Sequence, residues 1–311
     1  MENKLTTLKN ILIQYKTKEF VFIEPGGNHG DQLIYEGMFK LANESQIAFQ
    51  SRTFDTIQSE NFSKDKIYYI HGGGGYNKYN SGKSFKLLEF LVKQEGIIVI
   101  QGPCSIDTDE EVAQKLINIF SNAKCGAAMF FVREKTSRNY IDKNVPIEGF
   151  ELGLDIDTAF HLNKEYLESK FGQTTNRYTL DIIRKDGEST TYMPHRSNSV
   201  ILDPAYYATS FTHWYRLHAH AESILSNRTH SAILGAILGK KVFFYNGVYH
   251  KNRSIWEYTL KEMGVIWAGK ETNLFTNKPN QSFIQSLIPS KVKQSYKVNR
   301  IINHLKGVPN Q

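Results

Sequence analysis

Residues Glu222 to Asn252 read ESILSNRTHSAILGAILGKKVFFYNGVYHKN. The apolar run Ser223-Ile224-Leu225 is followed by a polar turn at Ser226-Asn227, then by Arg228-Thr229-His230. SAILGAILG, small and apolar at helical spacing, predicts a helix that stops at Gly239. VFFYN, apolar and aromatic between Lys-Lys and Gly, predicts a buried strand. The order is strand, turn, helix, strand, with Ser226 or Asn227 as N-cap and Arg228 and His230 in the first helical turn. A helix N-terminus presents unpaired N–H groups and positive dipole, which favour an anion and disfavour a cation. Arg228 and His230 there suggest a negatively charged ligand; a solvated arginine and a capping-region histidine are the plainer alternative.

The N-terminal half repeats this alternation. FVFIE (20–24) predicts a strand, PGGNHGDQ a glycine-rich turn, and LIYEGMFKLAN a helix. Gly26, Gly27 and Gly30 allow a sharp turn and close approach of a ligand, and Asn28 and Asp31 either fix that turn or touch substrate. The spacing is not that of a dinucleotide site. KIYYI (66–70) predicts a second strand, running into His71 and four consecutive glycines, Gly72 to Gly75. Such a run is costly unless the backbone must bend or admit something, so Gly73 and Gly74 are candidate ligand contacts. Helix SFKLLEFLVKQ, strand IIVI (97–100) with Gln101-Gly102-Pro103, helix VAQKLINIF and strand AAMFFV (127–132) follow. Apolar strands alternating with helices predict a parallel sheet covered on both faces, with ligands at the C-terminal strand ends. PGGNHGD, HGGGGY, QGP and Arg133 are all expected at those ends.

Four short stretches in this order resemble the polysaccharide pyruvyl transferase family. They are Gly27-Asn28-His29-Gly30-Asp31; Arg133-Glu134-Lys135-Thr136-Ser137; Asp157-Thr158-Ala159; and Asn227-Arg228-Thr229-His230 with its small-apolar helix, the strand ending Tyr245-Asn246, and Lys251. The family usually carries Asp-Arg-Leu-His at the last, so Asn227 and Thr229 depart from it while Arg228 and His230 are kept. The resemblance covers roughly residues 20 to 270. It implies a GT-B-like α/β fold: two Rossmann-like domains, 1–160 on the acceptor side and 161–311 on the donor side, with parallel sheets facing a central cleft. It implies transfer of pyruvate from phosphoenolpyruvate to sugar hydroxyls, as a ketal, in making surface or exopolysaccharide.

In that light Arg133, which by residue type alone would be a surface arginine, is expected to bind substrate, with Lys251, Asn28, Asp31, Gly73, Gly74 and Asn246. Arg133 from one domain and Arg228 with Lys251 from the other would hold the donor's phosphate and carboxylate. His230 would be the general acid/base, because imidazole ordinarily titrates near neutrality. Arg228 would stabilise the departing phosphate. No metal or redox cofactor is required. The partners implied are phosphoenolpyruvate and a sugar or lipid-linked oligosaccharide. Two alternatives share the pattern: a GT-B glycosyltransferase using a nucleotide sugar, which would want an acidic residue that 226–252 lacks, and a divergent glycan-binding protein without turnover.

The remaining sequence narrows the class. The chain has 311 residues, 40% hydrophobic, enough for two ordinary domains. No apolar run approaches the ~20 residues of a membrane span, and MENKLTTLKN lacks a signal-peptide core, so a cytoplasmic location is expected. Cys104 and Cys125 form no disulfide or zinc pattern. A net charge of +7 fits an anionic ligand or membrane surface; nucleic acid is weakest, since no binding motif is present. VPIEGFELGLDIDTAFHL (145–162) reads as a loop-like crossover, with Asp155 and Asp157 in turn chemistry. RYTLDIIRK (177–185) predicts a strand, and 186–199 a polar loop, either a mobile lid or part of the acceptor site. His213, His218, His220 and Glu222 tempt a metal reading, but a half-exposed helix or strand edge is preferred. SIWEYTLKEMGV (254–265) predicts a helix. In the basic tail (289–307), Val298, Ile301, Ile302 and Leu305 recur at helical spacing. That segment either packs across a domain or touches anionic lipid at the inner membrane face.

Overall fold

The computed structural model describes residues 7–79, 82–146, 149–190, 195–196 and 198–268. They pack into two units. The first comprises residues up to 27, 31–162 and 249–259; the second comprises 28–30, 163–248 and 260 onward.

Among the described residues, the first unit holds seven strands. These are β1 (Glu19–Glu24), β2 (Phe49–Thr53), β3 (Lys66–Ile70), β4 (Gly73–Tyr76), β5 (Ile98–Ile106), β6 (Ala127–Val132) and β7 (Phe150–Leu154). They form one parallel sheet in the order β2-β1-β3-β5-β6-β7, with β4 continuing beside β5. Helices His29–Glu44, Lys83–Val92, Glu110–Ser121 and Lys135–Asn144 connect the strands. Phe20, Val21, Phe22 and Ile23 of β1 are all fully buried. Each such side chain contributes about 1.5–3 kcal/mol. Two core clusters gather these residues, one around Val21, Tyr68, Leu88 and Phe130, the other around Phe20, Phe22, Met38 and Tyr69.

Three expectations are corrected here. The strand expected to end at Ile100 runs on to Ile106, so Gln101-Gly102-Pro103 lies inside it. The register breaks between Gln101 and Cys104, which accommodates a proline with no N–H to donate. The crossover read as loop-like contains β7 and a 3-10 turn, Thr158–His161. The proposed loop 186–199 is followed by a short strand, β9 (Val200–Leu202), which was not expected.

In the second unit β8 (Tyr178–Ile182), β9, β10 (Ala221–Ser226), β11 (Lys241–Phe244) and β12 (Ile266–Trp267) form a parallel sheet in the order β12-β11-β10-β8-β9. Helix Thr229–Ile237 joins β10 to β11, and Gly239 follows it at φ 69°, the left-handed conformation common just past a helix end. Residues 251–255 are α-helical and 256–260 continue as a π-helical turn, where one continuous helix was expected. Two parallel sheets flanked by helices make each unit Rossmann-like, the α/β class expected. No helix among the described residues is long and apolar enough to cross a membrane. The basic tail at 289–307 lies outside the described residues.

Candidate active site

Within the first unit, side chains gather where the strand order predicts, beyond the ends of β1, β3, β4 and β6. Arg133 follows β6 and is buried, 2% exposed, rather than at the surface. Its Nη1 donates to Asp157 at 2.5 Å and its Nε to Ser105 at 2.9 Å. Burial opposes the guanidinium charge, and Asp157 outweighs that effect, so the pKa is raised. Asp157 also caps the turn at Thr158–His161, accepting from Ala159 N at 2.9 Å. The turn chemistry expected of Asp157 is therefore present, and the arginine is an addition to it. Glu134, fully buried, caps the next helix: it accepts from the Ser137 amide at 2.9 Å and from the Ser137 hydroxyl. The Arg-Glu-x-x-Ser segment is thus a helix start that aims Arg133 back over the strand ends.

The four glycines have separate reasons. A Cβ on Gly72 would fall 2.0 Å from the Pro103 carbonyl oxygen, so β4 lies against β5 there only because the side chain is absent. Gly73 has φ 136°, which other residues rarely adopt. A Cβ on Gly74 would point at two cations, 3.2 Å from Lys251 Nζ and 3.5 Å from Arg133 Nη2. Asn77 Nδ2 donates to the Gly74 carbonyl at 2.6 Å and reaches the Tyr249 hydroxyl at 3.4 Å. Lys251, 5% exposed, carries its ammonium 5.0 Å from the Tyr249 ring centroid. Asp31 closes this corner. Its carboxylate sits 2.1 Å from where a Cβ on Gly27 would be and 3.6 Å from one on Gly73. Lys251, grouped with Arg228 from the sequence, therefore stands with Arg133, Gly74 and Asp31.

The second unit holds the other candidates. The helix begins at Thr229, and its N-cap is Arg228, not Ser226 or Asn227. Ser226 Oγ instead accepts from the Arg228 amide at 2.8 Å, a local turn that leaves Arg228 in extended backbone. His230 stands in the first helical turn as expected. A Cβ on Gly30 would meet His230 Cβ at 3.1 Å and Nδ1 at 3.2 Å, so the imidazole rests on the Gly30 backbone. Asn28 Oδ1 accepts from Gly30 N at 2.8 Å, so Asn28 fixes this turn. Asn246 is exposed just beyond β11.

Arg228 has partners the sequence did not disclose. Its Nε and Nη2 donate to Asp203 at 2.5 and 2.6 Å, and Nη2 also to Asp186 at 3.0 Å. These carboxylates raise the Arg228 pKa against the opposing effect of burial. Burial would raise the Asp186 carboxyl; the hydrogen bond from Arg184 and the charges of Arg228 and Arg184 prevail and bring it to about 2. The histidines upstream are structural. His218, fully buried in helix Phe211–Ala219, has Nδ1 2.7 Å from the Trp214 carbonyl and Nε2 2.9 Å from Ser231 Oγ. A carbonyl only accepts, so Nδ1 carries the proton and Nε2 accepts from the serine. That replaces the half-exposed edge expected there. Among the described residues no group of three or more His, Cys, Asp or Glu is placed to hold a metal ion.

The profile of the family described as polysaccharide pyruvyl transferase matches residues 28–247 of the 311. The chain belongs to the polysaccharide pyruvyl transferase family. It is accordingly a transferase of polysaccharide biosynthesis. No curated protein matches it in sequence at a significant level. The crystal structure of a functionally uncharacterized protein from Klebsiella pneumoniae subsp. pneumoniae is similar in fold, with TM-score 0.64 and 17% identity over 84% of this chain and 96% of that one. Arg228 and His230 stand where the backbone of this pyruvyl transferase family member forms a helix start, and Arg133 stands just before another, capped by Glu134. What the motifs did not reveal were Asp203, Asp186, Ser105 and Asn77. Only Asp203 left a local signal: Asp-Pro is a helix N-cap followed by proline at the first helical position, and Asp203 Oδ1 accepts from Ala205 N at 3.2 Å.

Proposed function

We propose that the protein transfers pyruvate from phosphoenolpyruvate to two hydroxyls of a sugar, forming a ketal. The observation that carries this reading is the buried pair of cations, Arg133 and Lys251, over the Gly74 backbone. Phosphoenolpyruvate brings a carboxylate and a phosphate on three carbons, which suits one guanidinium and one ammonium. In the reaction a proton adds to the methylene carbon and a sugar hydroxyl bonds to the neighbouring carbon. A second hydroxyl then displaces phosphate from that carbon. Two C–O bonds to sugar form and one C–O bond to phosphate breaks; of the two hydroxyl protons, one replaces the proton given to carbon and the other leaves with the phosphate. His230 is assigned the proton transfer and Arg228 the stabilisation of phosphate charge. The acceptor is a saccharide, free or lipid-linked, and no metal or redox cofactor takes part. The same reading has the protein working in the cytoplasm, with segment 289–307 touching anionic lipid. Liposome sedimentation unchanged by deleting that segment would remove the lipid contact.

The nucleotide-sugar alternative lacked an acidic group within 226–252. Asp186 and Asp203 now stand beside Arg228, but arginines already hold both. Calorimetric titration with phosphoenolpyruvate and with uridine diphosphate separates the two. The proposed reaction requires phosphoenolpyruvate binding that Lys251→Ala weakens at least tenfold. Binding of uridine diphosphate alone would overturn it. Lys251→Ala is a cleaner probe than Arg228→Ala, which would strand the buried Asp203 carboxylate.

A further inference from the structure

We infer that Asp203 is the positioning residue of Arg228, and that it sets which edge of the guanidinium faces an anionic ligand. The inference rests on the reading of Arg228 as a ligand for the donor. Asp203 is fixed before Arg228 reaches it. It lies between β9 and helix Pro204–Tyr207, its side chain is 1% exposed, and its oxygens accept from Lys185 N at 3.0 Å and Ala205 N at 3.2 Å. Arg228 meets it side-on, with Nε on Oδ1 and Nη2 on Oδ2. The second Nη2 proton goes to Asp186, which Arg184 holds in turn through Nε at 2.5 Å.

That arrangement accounts for three of the five guanidinium protons and stops rotation of the group about its long axis. Nη1 makes no hydrogen bond among the described residues, and its two protons are the ones left to bind oxygen. The residue directly before this arginine, Asn227, is uncharged. The charge comes here from residues remote in sequence. Neutralising it makes two opposite predictions. If Asp203 only adds negative charge nearby, its removal tightens anion binding. If it positions Arg228, its removal weakens binding.

The experiment uses the full chain and Asp203→Asn, which keeps the shape and the capping oxygen. Phosphoenolpyruvate and inorganic phosphate are titrated calorimetrically, and the Arg228 Nε–H resonance, assigned by its loss in Arg228→Lys, is followed by 15N NMR. The expected result is a tenfold or greater loss of affinity and an Nε–H exchanging rapidly with water. Asp186→Asn should keep the slowly exchanging Nε–H and change affinity less than threefold. An unchanged Nε–H in Asp203→Asn, or affinity equal to or tighter than wild type, overturns the inference. Should Asp203→Asn fail to fold, Asp203→Glu replaces it: the longer carboxylate keeps the charge, moves the guanidinium and should still weaken binding. If neither wild-type titrant binds, the donor reading fails by itself, and the NMR result decides whether Asp203 positions Arg228.

Discussion

Arg133 donates from Nη1 to Asp157 at 2.5 Å with both side chains 1% exposed, which ties the end of β6 to the turn that follows β7. Removing either partner strands the other's charge in the core. Asp157→Leu or Arg133→Met alone should cost about 3–5 kcal/mol, and the double variant should recover part of that loss. Urea denaturation of the four proteins checks it; additive losses would show that the pair is not coupled.

Gly72 and Gly74 are two positions apart and should fail differently on substitution by alanine. Gly72→Ala drives a methyl into the Pro103 carbonyl, backbone against backbone, and should destabilise by about 2 kcal/mol or more. Gly74→Ala meets the flexible end of Lys251 at 3.2 Å, which can move aside. Its melting temperature should stay within a few degrees of wild type, while phosphoenolpyruvate affinity falls about tenfold. Calorimetry on both variants, scanning and titrating, separates the two effects.

His71 is buried among Phe22, Tyr35, Phe39 and Tyr69, and neither ring nitrogen has a hydrogen-bond partner among the described residues. Burial lowers its pKa to about 3. At His218 burial does the same, against the hydrogen bond to the Trp214 carbonyl, and brings it to about 4. The unfolded chain takes up these protons near 6.5, so between pH 6.5 and 4 it binds more protons than the folded chain. Stability therefore falls as pH drops through that window. His71→Phe should remove one of the two contributions, flattening the loss by roughly 2 kcal/mol between pH 7.5 and 5. Because the ring's polar atoms are unsatisfied, it should also stabilise the fold at pH 7.5 by about 1 kcal/mol. Urea midpoints at the two pH values test both statements, and equal pH dependence in variant and wild type would refute the first.

His230→Gln should reduce phosphate release with a saccharide acceptor by about 10²–10⁴-fold while leaving phosphoenolpyruvate affinity within threefold. Turnover near wild type would show that His230 is not the acid/base. Gly30→Ala, which pushes on the same imidazole, should lower turnover in the same direction and less severely.

The strands that were legible in the sequence are those with neighbours on both sides. β1, β3, β5, β6 and β11 carry the apolar runs of a doubly covered sheet. Those missed are β2, β7, β9 and β12, which lie at sheet edges, and the glycine-rich β4, which pairs only with β5. β2 reads FQSRT and has no fully buried residue, so its pattern resembles a polar loop. Edge strands bury less and therefore write less into the sequence. The site divides similarly. Arg133, Arg228 and His230 were found because each sits in a local strand-to-helix turn with its own signature. The carboxylate partners of the two arginines arrive from 24 to 42 residues away in sequence, which no local pattern encodes. Lys251 was recognised but assigned different company, because its neighbours depend on where the chain goes after β11.

The first unit takes its last piece, residues 249–259, from beyond β11 of the second. A chain leaving the ribosome has made all seven strands of the first sheet by Leu154, yet its cationic corner still lacks Tyr249 and Lys251. These arrive only after β8 through β11 have been synthesised. No truncated product ending between the units can therefore hold a finished Arg133–Lys251 pair. A nascent or prematurely terminated chain should be inert towards the donor however well its first sheet has folded.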